Sequence, residues 1–145
     1  MGRHLSPGSG SESTINRTGN LILGYDPSPG TQTGSHNLLL GGTGNAYTSY
    51  GGILGGGFSN KISGAHASIL GGAGNRAAAK DATVSGGKEN KATGEGSSVS
   101  GGGGGEASGA VSSVTGGRLG KAPYFASTVL GGLEEVTETE FGVKP

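Results

Sequence analysis

The apolar and polar positions of this chain repeat every fifteen residues. A Gly-Gly pair begins each repeat, and the pairs follow one another without slippage. They start at Gly41, Gly56, Gly71, Gly86, Gly101, Gly116 and Gly131. Counting each repeat from its first glycine, position 14 is aliphatic in six successive repeats and position 7 is mostly small. A fixed period this short is typical of one unit stacked on copies of itself, so the pattern predicts a solenoid.

The residues around position 14 predict a β-strand in every repeat. Positions 12 to 15 hold in turn a small residue, a hydroxyl residue, an aliphatic residue, and a hydroxyl residue or leucine, as in residues 82–85 and 97–100. This period-2 pattern, bounded by glycines, indicates a strand of about four or five residues. The Gly-Gly pair then supplies a turn, because glycine accepts a positive φ. No window has helical spacing over the ten or more positions that a helix needs, so the chain is predicted to be all-β.

Fifteen residues limit the size of one coil. At about 3.3 Å per residue, the unit can form two short strands and two tight turns, which gives a flattened parallel β-roll with a thin interior. Position 14 is predicted to fill that interior, facing the small side chains of position 7. The predicted core column is Leu54, Ile69, Val84, Val99, Val114 and Val129.

Position 5 is asparagine in four successive repeats, at Asn45, Asn60, Asn75 and Asn90. Asparagine tolerates the left-handed backbone region and bonds to neighbouring backbone, so this column suits a turn. Identical amides one coil apart, at about 4.8 Å, can also bond to one another as a ladder. A structural turn ladder is therefore predicted, with a row of ligand-binding amides as the alternative.

The pattern divides the chain into three parts. Residues 1–18 are polar and without period, which predicts an irregular N-terminal arm. Residues 19–132 form the predicted solenoid, from which a turn-rich loop at residues 25–35 projects. Residues 133–145 replace small residues with charge, which predicts an acidic C-terminal cap that protects the last edge strand.

Composition excludes several classes of protein. The chain has 35 glycines but no Gly-X-Y run, so it is not collagen, and it has no cysteine to form disulfides. Its 10 basic and 10 acidic side chains cancel, so neither a nucleic-acid partner nor an anionic membrane is expected. No apolar run approaches the roughly 18 residues of a membrane span, and no signal peptide is visible after Met1.

The sequence offers no pattern of catalytic or metal-binding residues. Acid–base hydrolysis requires two carboxylates facing one cleft, but each carboxylate of the repeat body lies near a basic residue or in a turn. These carboxylates are Asp81, Glu89, Glu95 and Glu106. The three histidines, His4, His36 and His66, share no spacing that suggests a metal site. We expect no catalysis, no cofactor and no metal.

The thin interior predicts an obligate homo-oligomer. Each coil buries about one Val-sized and one or two Ala-sized side chains, too little apolar surface to offset the ordering of fifteen glycine-rich residues. A second buried face is therefore expected. Its candidate contacts are the outward residues at position 15, namely Leu40, Leu70, Ser85, Ser100, Thr115 and Leu130.

Several of these repeats resemble a known family. Ser98-Val99-Ser100-Gly101, Ala107-Ser108-Gly109 and Ser113-Val114-Thr115-Gly116 look like the head repeats of YadA-type trimeric autotransporter adhesins. Related repeats occur in bacteriophage tail fibres and other bacterial surface proteins, and the resemblance covers roughly residues 20–132. It implies left-handed β-roll coils, three chains around one axis, and an extracellular, cell-surface or virion location. The fifteen-residue period and the second glycine of each pair depart from the family pattern.

Three functional hypotheses follow. The first is a non-catalytic structural and attachment module whose partners are two further copies of itself and neighbouring fibre or appendage proteins. The second is a tip that binds a surface glycan or receptor through aromatic side chains and the loop at residues 25–35. The candidate contacts are Tyr47, Tyr50, Phe58, Tyr124 and Phe125, which alternatively fill the ends of the roll or pack between subunits. The third is an ice-binding solenoid, although the Ser/Thr column at position 13 has no second threonine column beside it.

Overall fold

In a computed structural model, the chain is an all-β solenoid of about eight turns with about fifteen residues per turn. The structure describes residues 2–5, 19–24 and 31–145. Within these ranges, sixteen strands form one sheet of ten strands and one of six. Neighbouring strands are parallel, except that β1 is antiparallel to β2.

Each coil contributes one strand to each sheet through most of the solenoid. The ten-stranded sheet contains β1 (Gly2–Leu5), β2 (Leu21–Gly24), β3 (Leu38–Leu40), β5 (Ile53–Leu54), β7 (Ser68–Ile69), β9 (Thr83–Val84), β11 (Ser98–Val99), β13 (Ser113–Val114), β15 (Thr128–Val129) and β16 (Val143–Lys144). The six-stranded sheet contains β4 (Ala46–Tyr47), β6 (Lys61–Ile62), β8 (Arg76–Ala77), β10 (Lys91–Ala92), β12 (Glu106–Ala107) and β14 (Lys121–Ala122).

Pairing between coils keeps the fifteen-residue period. Ser98 pairs with Ser113 and Ala92 with Ala107, so equivalent positions of successive coils stack in columns. A third row of single bridges joins position 3 from Thr43 to Leu133. The strands are two residues long in most coils, shorter than the predicted four or five. Positions 2, 4 and 11 adopt positive φ throughout, which leaves only short extended segments between them.

The interior is a narrow column of side chains. Position 14 is buried, with Leu54 and Val84 at most 1 % exposed, and position 7 is buried as well. The core column Leu54, Ile69, Val84, Val99, Val114 and Val129 therefore lies inside the roll. Position 7 is occupied by Tyr47 and Ile62 near the N-terminal end and by alanine from Ala77 to Ala122. The buried side chains at this position therefore become smaller along the chain.

Strand pairing continues on both sides of residues 19–132. Residues 2–5 of the predicted irregular arm form β1 and pair with β2, while the rest of that arm lies outside the described residues. At the other end, Thr128 pairs with Val143 and Arg118 with Leu133, so the coil geometry continues past residue 132. The role of the acidic segment in protecting the edge stays a prediction.

The predicted projecting loop at residues 25–35 is only partly described. Residues 25–30 lie outside the described residues. Residues 31–35 belong to the stack, because Gln32 bridges to Tyr47 and Ser35 to Tyr50. The described part of this segment therefore does not project from the solenoid wall.

From Gly71 onward, the two glycines of a pair have different physical roles, whereas in the first two pairs Gly41 and Gly56 also adopt positive φ. Gly87, the second of its pair, has φ +83°, and a Cβ there would meet the carbonyl oxygen of Gly102 and lie 2.6 Å from the Asn90 amide nitrogen. A Cβ on Gly86, the first of the pair, would meet nothing within 4 Å. The second glycine is therefore required by the close approach of the next coil, and the first is not.

Alanine substitutions in one pair test this difference. Gly87→Ala is expected to lower the free energy of unfolding by at least about 2 kcal/mol, because it combines backbone strain with a clash against backbone. The matched Gly86→Ala variant is expected to leave that free energy unchanged or to raise it by up to about 1 kcal/mol. Urea unfolding followed by circular dichroism measures both. Equal destabilisation of the two variants would contradict this assignment.

Candidate functional site

The outer face of the ten-stranded sheet is the first candidate surface. Positions 13 and 15 flank the buried position 14, and we call these two outward columns the ten-stranded face. Position 13 is a row of hydroxyl groups, namely Ser68, Thr83, Ser98, Ser113 and Thr128. The hydroxyls of Ser68 and Thr83 lie 3.2 Å apart, so neighbouring coils bond across this row. The residues at position 15 are exposed except for Gly55, which is partly buried between Leu40 and Leu70. The exposed residues are Leu40, Leu70, Ser85, Ser100, Thr115 and Leu130.

The asparagine column seals the turn between the two sheets. The Asn75 amide nitrogen donates to the carbonyl oxygens of Gly71 and Gly87, each at 3.0 Å, and its oxygen accepts from the Asn90 backbone N–H at 3.0 Å. Asn45, Asn60 and Asn90 repeat these contacts. The amides thus bond to backbone of their own and the next coil, which is the first of the two arrangements expected from the sequence, and these four do not bond to one another as a ladder.

The burial and hydrogen bonds of these asparagines test the alternative that they form a row of ligand-binding amides. All four asparagines are buried, from 0 % to 3 % exposed, and their amide atoms are engaged in these hydrogen bonds. A ligand outside the roll would not reach them. The column therefore stabilises the coil-to-coil contact and presents no amide row to solvent.

Removal of one amide tests this role. Asn75→Ala removes the donor to the Gly71 carbonyl and the acceptor of the buried Asn90 N–H, whereas the Gly87 carbonyl keeps its bond from the Ala73 N–H. The variant is therefore expected to lower the free energy of unfolding by about 2–4 kcal/mol. The neighbouring exposed residue provides the control, because Arg76→Ala is expected to change it by less than about 0.5 kcal/mol. Thermal or urea unfolding compares the two. An Asn75→Ala protein as stable as the control would show that the column is dispensable.

The five aromatic candidates do not form one site. Tyr47 lies in the core at 2 % exposure, so its ring is not available to a ligand. Tyr50 packs edge-on against His66 with ring centroids 5.3 Å apart. Phe58 is exposed in the second repeat, whereas Tyr124 and Phe125 are exposed in the sixth, four coils or about 19 Å along the axis.

A smaller aromatic cluster lies near the C-terminal end. Phe125 packs edge-on against Phe141 with ring centroids 5.5 Å apart, and Phe141 is the most exposed large apolar side chain of the described residues at 68 %. Tyr124 is 43 % exposed beside them in sequence. Phe141 was not among the aromatic candidates from the sequence. It occupies position 11 one coil after Ala126, which follows Phe125 directly, so the fifteen-residue period could have placed it beside Phe125.

Most charges on one edge of the roll pair locally. Lys80 lies 3.4 Å from Asp81 and 3.7 Å from Glu95, and the hydrogen bond and charge of Asp81, with that of Glu95, raise the pKa of Lys80 above its usual value. His66 lies 3.5 Å from Asp81. Among residues 19–24 and 31–145, no group of three or more metal-ligating side chains occurs.

The outer row of the six-stranded sheet was missed by the sequence reasoning. Position 6 holds Lys61, Arg76, Lys91, Glu106 and Lys121, whose Cα atoms pair in register from coil to coil. We call this row the cationic column. The four basic side chains are exposed. The signal was present in the sequence, since these residues share the fifteen-residue spacing, but the net charge of zero concealed it.

An open cavity of about 320 Å³ lies beside the row of position-3 bridges. Its lining residues are Lys88, Glu89, Gly103, Gly104, Arg118 and Leu119. Gly103 and Gly104 carry no side chains, so a notch is left between Lys88 in one coil and Arg118 two coils further on. Lys88 is paired with Glu89 at 3.6 Å.

Comparison with known proteins assigns no family to this architecture. No protein-family model matches the chain, and no curated protein sequence matches it. None of the described residues belongs to a helix that is long and apolar enough to cross a membrane.

Proposed function

We propose that this chain is a non-catalytic structural and attachment module that works as a homotrimeric β-solenoid within a fibre, surface appendage or virion spike. The observation that carries the proposal is the ten-stranded face. From Leu38 to Leu130, positions 13 and 15 contain no charged side chain, and the position-15 leucines are exposed. Charged residues are depleted at the cores of protein interfaces, so this face has the composition of a surface covered by another chain.

The thin interior gives a second reason for a covered face. Along the middle of the solenoid, the core contains valine at position 14 and alanine at position 7, with alanine or serine at position 12. Leu40, Leu70 and Leu130 remain outside this core, with 43 % to 57 % of their surface exposed. Packing three copies about an axis would bury these leucines and add apolar contact that one roll lacks.

The distribution of charge supports one orientation of the subunits. The ten-stranded face is uncharged, whereas the six-stranded sheet presents the cationic column. Placing the ten-stranded faces at the axis keeps the cations in solvent, because burying unpaired charges is costly. The six-stranded sheet then forms the outer wall of the fibre, at the cell surface or virion, where it meets other molecules.

A glycan- or receptor-binding tip is the second candidate function. It is favoured by the exposed ring pair of Phe125 and Phe141 near the C-terminal end, with the exposed Tyr124 next to Phe125 in the sequence. Exposed aromatic rings on a small-residue surface are suited to stacking against sugar rings. Tyr124→Ala would then abolish glycan binding and leave the molecular mass of the assembly unchanged.

Light scattering on a sizing column tests the trimer. Three copies of a 13.9 kDa chain give about 42 kDa (3 × 13.9), and the paired substitution Leu70→Glu with Leu130→Glu is expected to reduce the mass to that of one chain, because it places six carboxylates at the axis. A native chain that runs as a folded monomer would refute the proposal.

A matched variant controls for added charge. Leu119→Glu with Leu133→Glu adds the same two carboxylates at exposed positions away from the ten-stranded face. Glutamate already occupies position 4 at Glu89 and Glu134 with φ of 59°, so Leu119→Glu fits the backbone. This variant is expected to keep the mass of about 42 kDa. Equal loss of mass in both variants would contradict the assignment of the interface.

A further inference from the structure

We infer that the cationic column on the six-stranded sheet is a binding site for a linear anionic polysaccharide, with sulfate or carboxylate groups held by Lys61, Arg76 and Lys91. The inference rests on the proposed attachment function and names the class of molecule that the outer wall of the fibre would contact. It uses none of the aromatic residues of the alternative tip.

The first observation is that these cations form no ion pair with the described residues. Of the eight basic side chains from residue 31 onward, three form ion pairs, namely Lys80, Lys88 and Lys144. The other five form no ion pair with any described residue, and four of the five lie in the cationic column. Unpaired charge is therefore concentrated on one row of one sheet.

The second observation is that the arrangement opposes folding. Lys61 pairs in register with Arg76, and Arg76 with Lys91, so three like charges stand directly opposite one another at about 4.8 Å between coils. Like charges in such cross-strand positions are destabilising. The chain alternates signs elsewhere, since Lys80 stands between Asp81 and Glu95. Within the column, Glu106 stands in register with Lys91 and Lys121, so the like-charge contacts are those of Lys61 with Arg76 and of Arg76 with Lys91. An external anion bound at these three cations would relieve that repulsion.

The third observation is the shape of the surface around the row. Position 8 follows position 6 by two residues, so its side chain is expected on the same outer side of the coil. The residues at position 8 are small, namely Thr48, Ser63, Ala78, Thr93, Ser108 and Pro123. No bulky group blocks the row, and the hydroxyls add donors for anionic oxygens. Arg76 at the centre of the triad offers a planar fork that binds sulfate or carboxylate through two hydrogen bonds.

The same surface argues against a nucleic acid as the occupant. Proteins that bind single strands without sequence preference stack the bases on aromatic side chains. Neither position 6 nor position 8 carries an aromatic residue in the coils from residue 46 to residue 123. A polysaccharide needs no such platform when its repeated acidic groups supply the binding energy. Glu106 interrupts the row before Lys121, which limits the strongest site to the first three cations.

The test measures binding of the full chain to immobilised heparin, a sulfated polysaccharide, and to hyaluronate, a carboxylated one, at low and at physiological salt. The triple variant Lys61→Gln, Arg76→Gln, Lys91→Gln is expected to weaken binding about tenfold or more. The control triple Lys80→Gln, Lys88→Gln, Lys144→Gln lowers the formal charge from zero by the same three units, and it is expected to stay within about twofold of the native chain.

A third variant probes the site by gain of function. Glu106→Gln removes the one acidic residue of the column, so it is expected to strengthen binding by about two- to fivefold. Binding is expected to weaken as salt is raised, because exposed charges are screened. Preference for heparin over hyaluronate, or the reverse, identifies the acidic group. Neutral dextran is expected not to bind.

Three outcomes would overturn the inference. They are absence of binding to both acidic polysaccharides, equal weakening by the two triple variants, and tighter binding of single-stranded oligo-dT than of either polysaccharide. Light scattering on each variant separates this test from that of the proposed function. A trimer that fails to bind refutes only the inference, whereas a monomer that binds refutes only the proposed assembly.

Discussion

The close approach of each coil to the next is the constraint on which this structure depends. Successive coils pair backbone to backbone through both sheets and through the bridges at position 3. At position 2, the carbonyl of the next coil occupies the place where a Cβ would stand, as Gly87 and Gly102 illustrate. Glycine with a positive φ is therefore required at position 2 from Gly42 to Gly117, and an insertion or deletion of one residue would break the stack. The fifteen-residue period is the visible consequence of this contact.

A fifteen-residue coil encloses few apolar side chains, and hydrogen bonds from buried polar side chains also stabilise the stack. Valine and alanine fill the middle of the roll, while the asparagine column satisfies three backbone groups per coil at the turn between the sheets. In the fifth and sixth repeats, Gly105 and Gly120 replace asparagine, and the side chains of Val114 and Val129 approach the space so vacated, with a Cβ on Gly105 falling 3.1 Å from Val114.

Stacking also converts sequence columns into surfaces with distinct chemistry. The ten-stranded face is free of charge between Leu38 and Leu130, whereas the six-stranded sheet carries the cationic column, whose four basic side chains form no ion pair with the described residues. Both follow from repetition, because one residue type at one position becomes a stripe along the whole solenoid. The proposed trimer and the proposed polysaccharide site use opposite surfaces. The uncharged ten-stranded face is suited to burial between subunits, and the charged six-stranded sheet is suited to exposure to solvent. A chain with no net charge still presents a strongly polarised outer wall.

The sequence alone determined the all-β class, the fifteen-residue coil and the aliphatic column from Leu54 to Val129, because a strict period encodes which residues stack. It also located the turn at the Gly-Gly pair, but not that the second glycine of a pair such as Gly86-Gly87 is the constrained one, since that depends on the carbonyl of the neighbouring coil. Only the tertiary structure decided between the two positions open to Tyr47, continued the coils beyond residue 132, and decided that the four asparagine amides bond to backbone and not to one another. It alone separated paired from unpaired cations. Those features depend on distances between coils, and a linear pattern specifies which residues are equivalent without specifying what each of them touches.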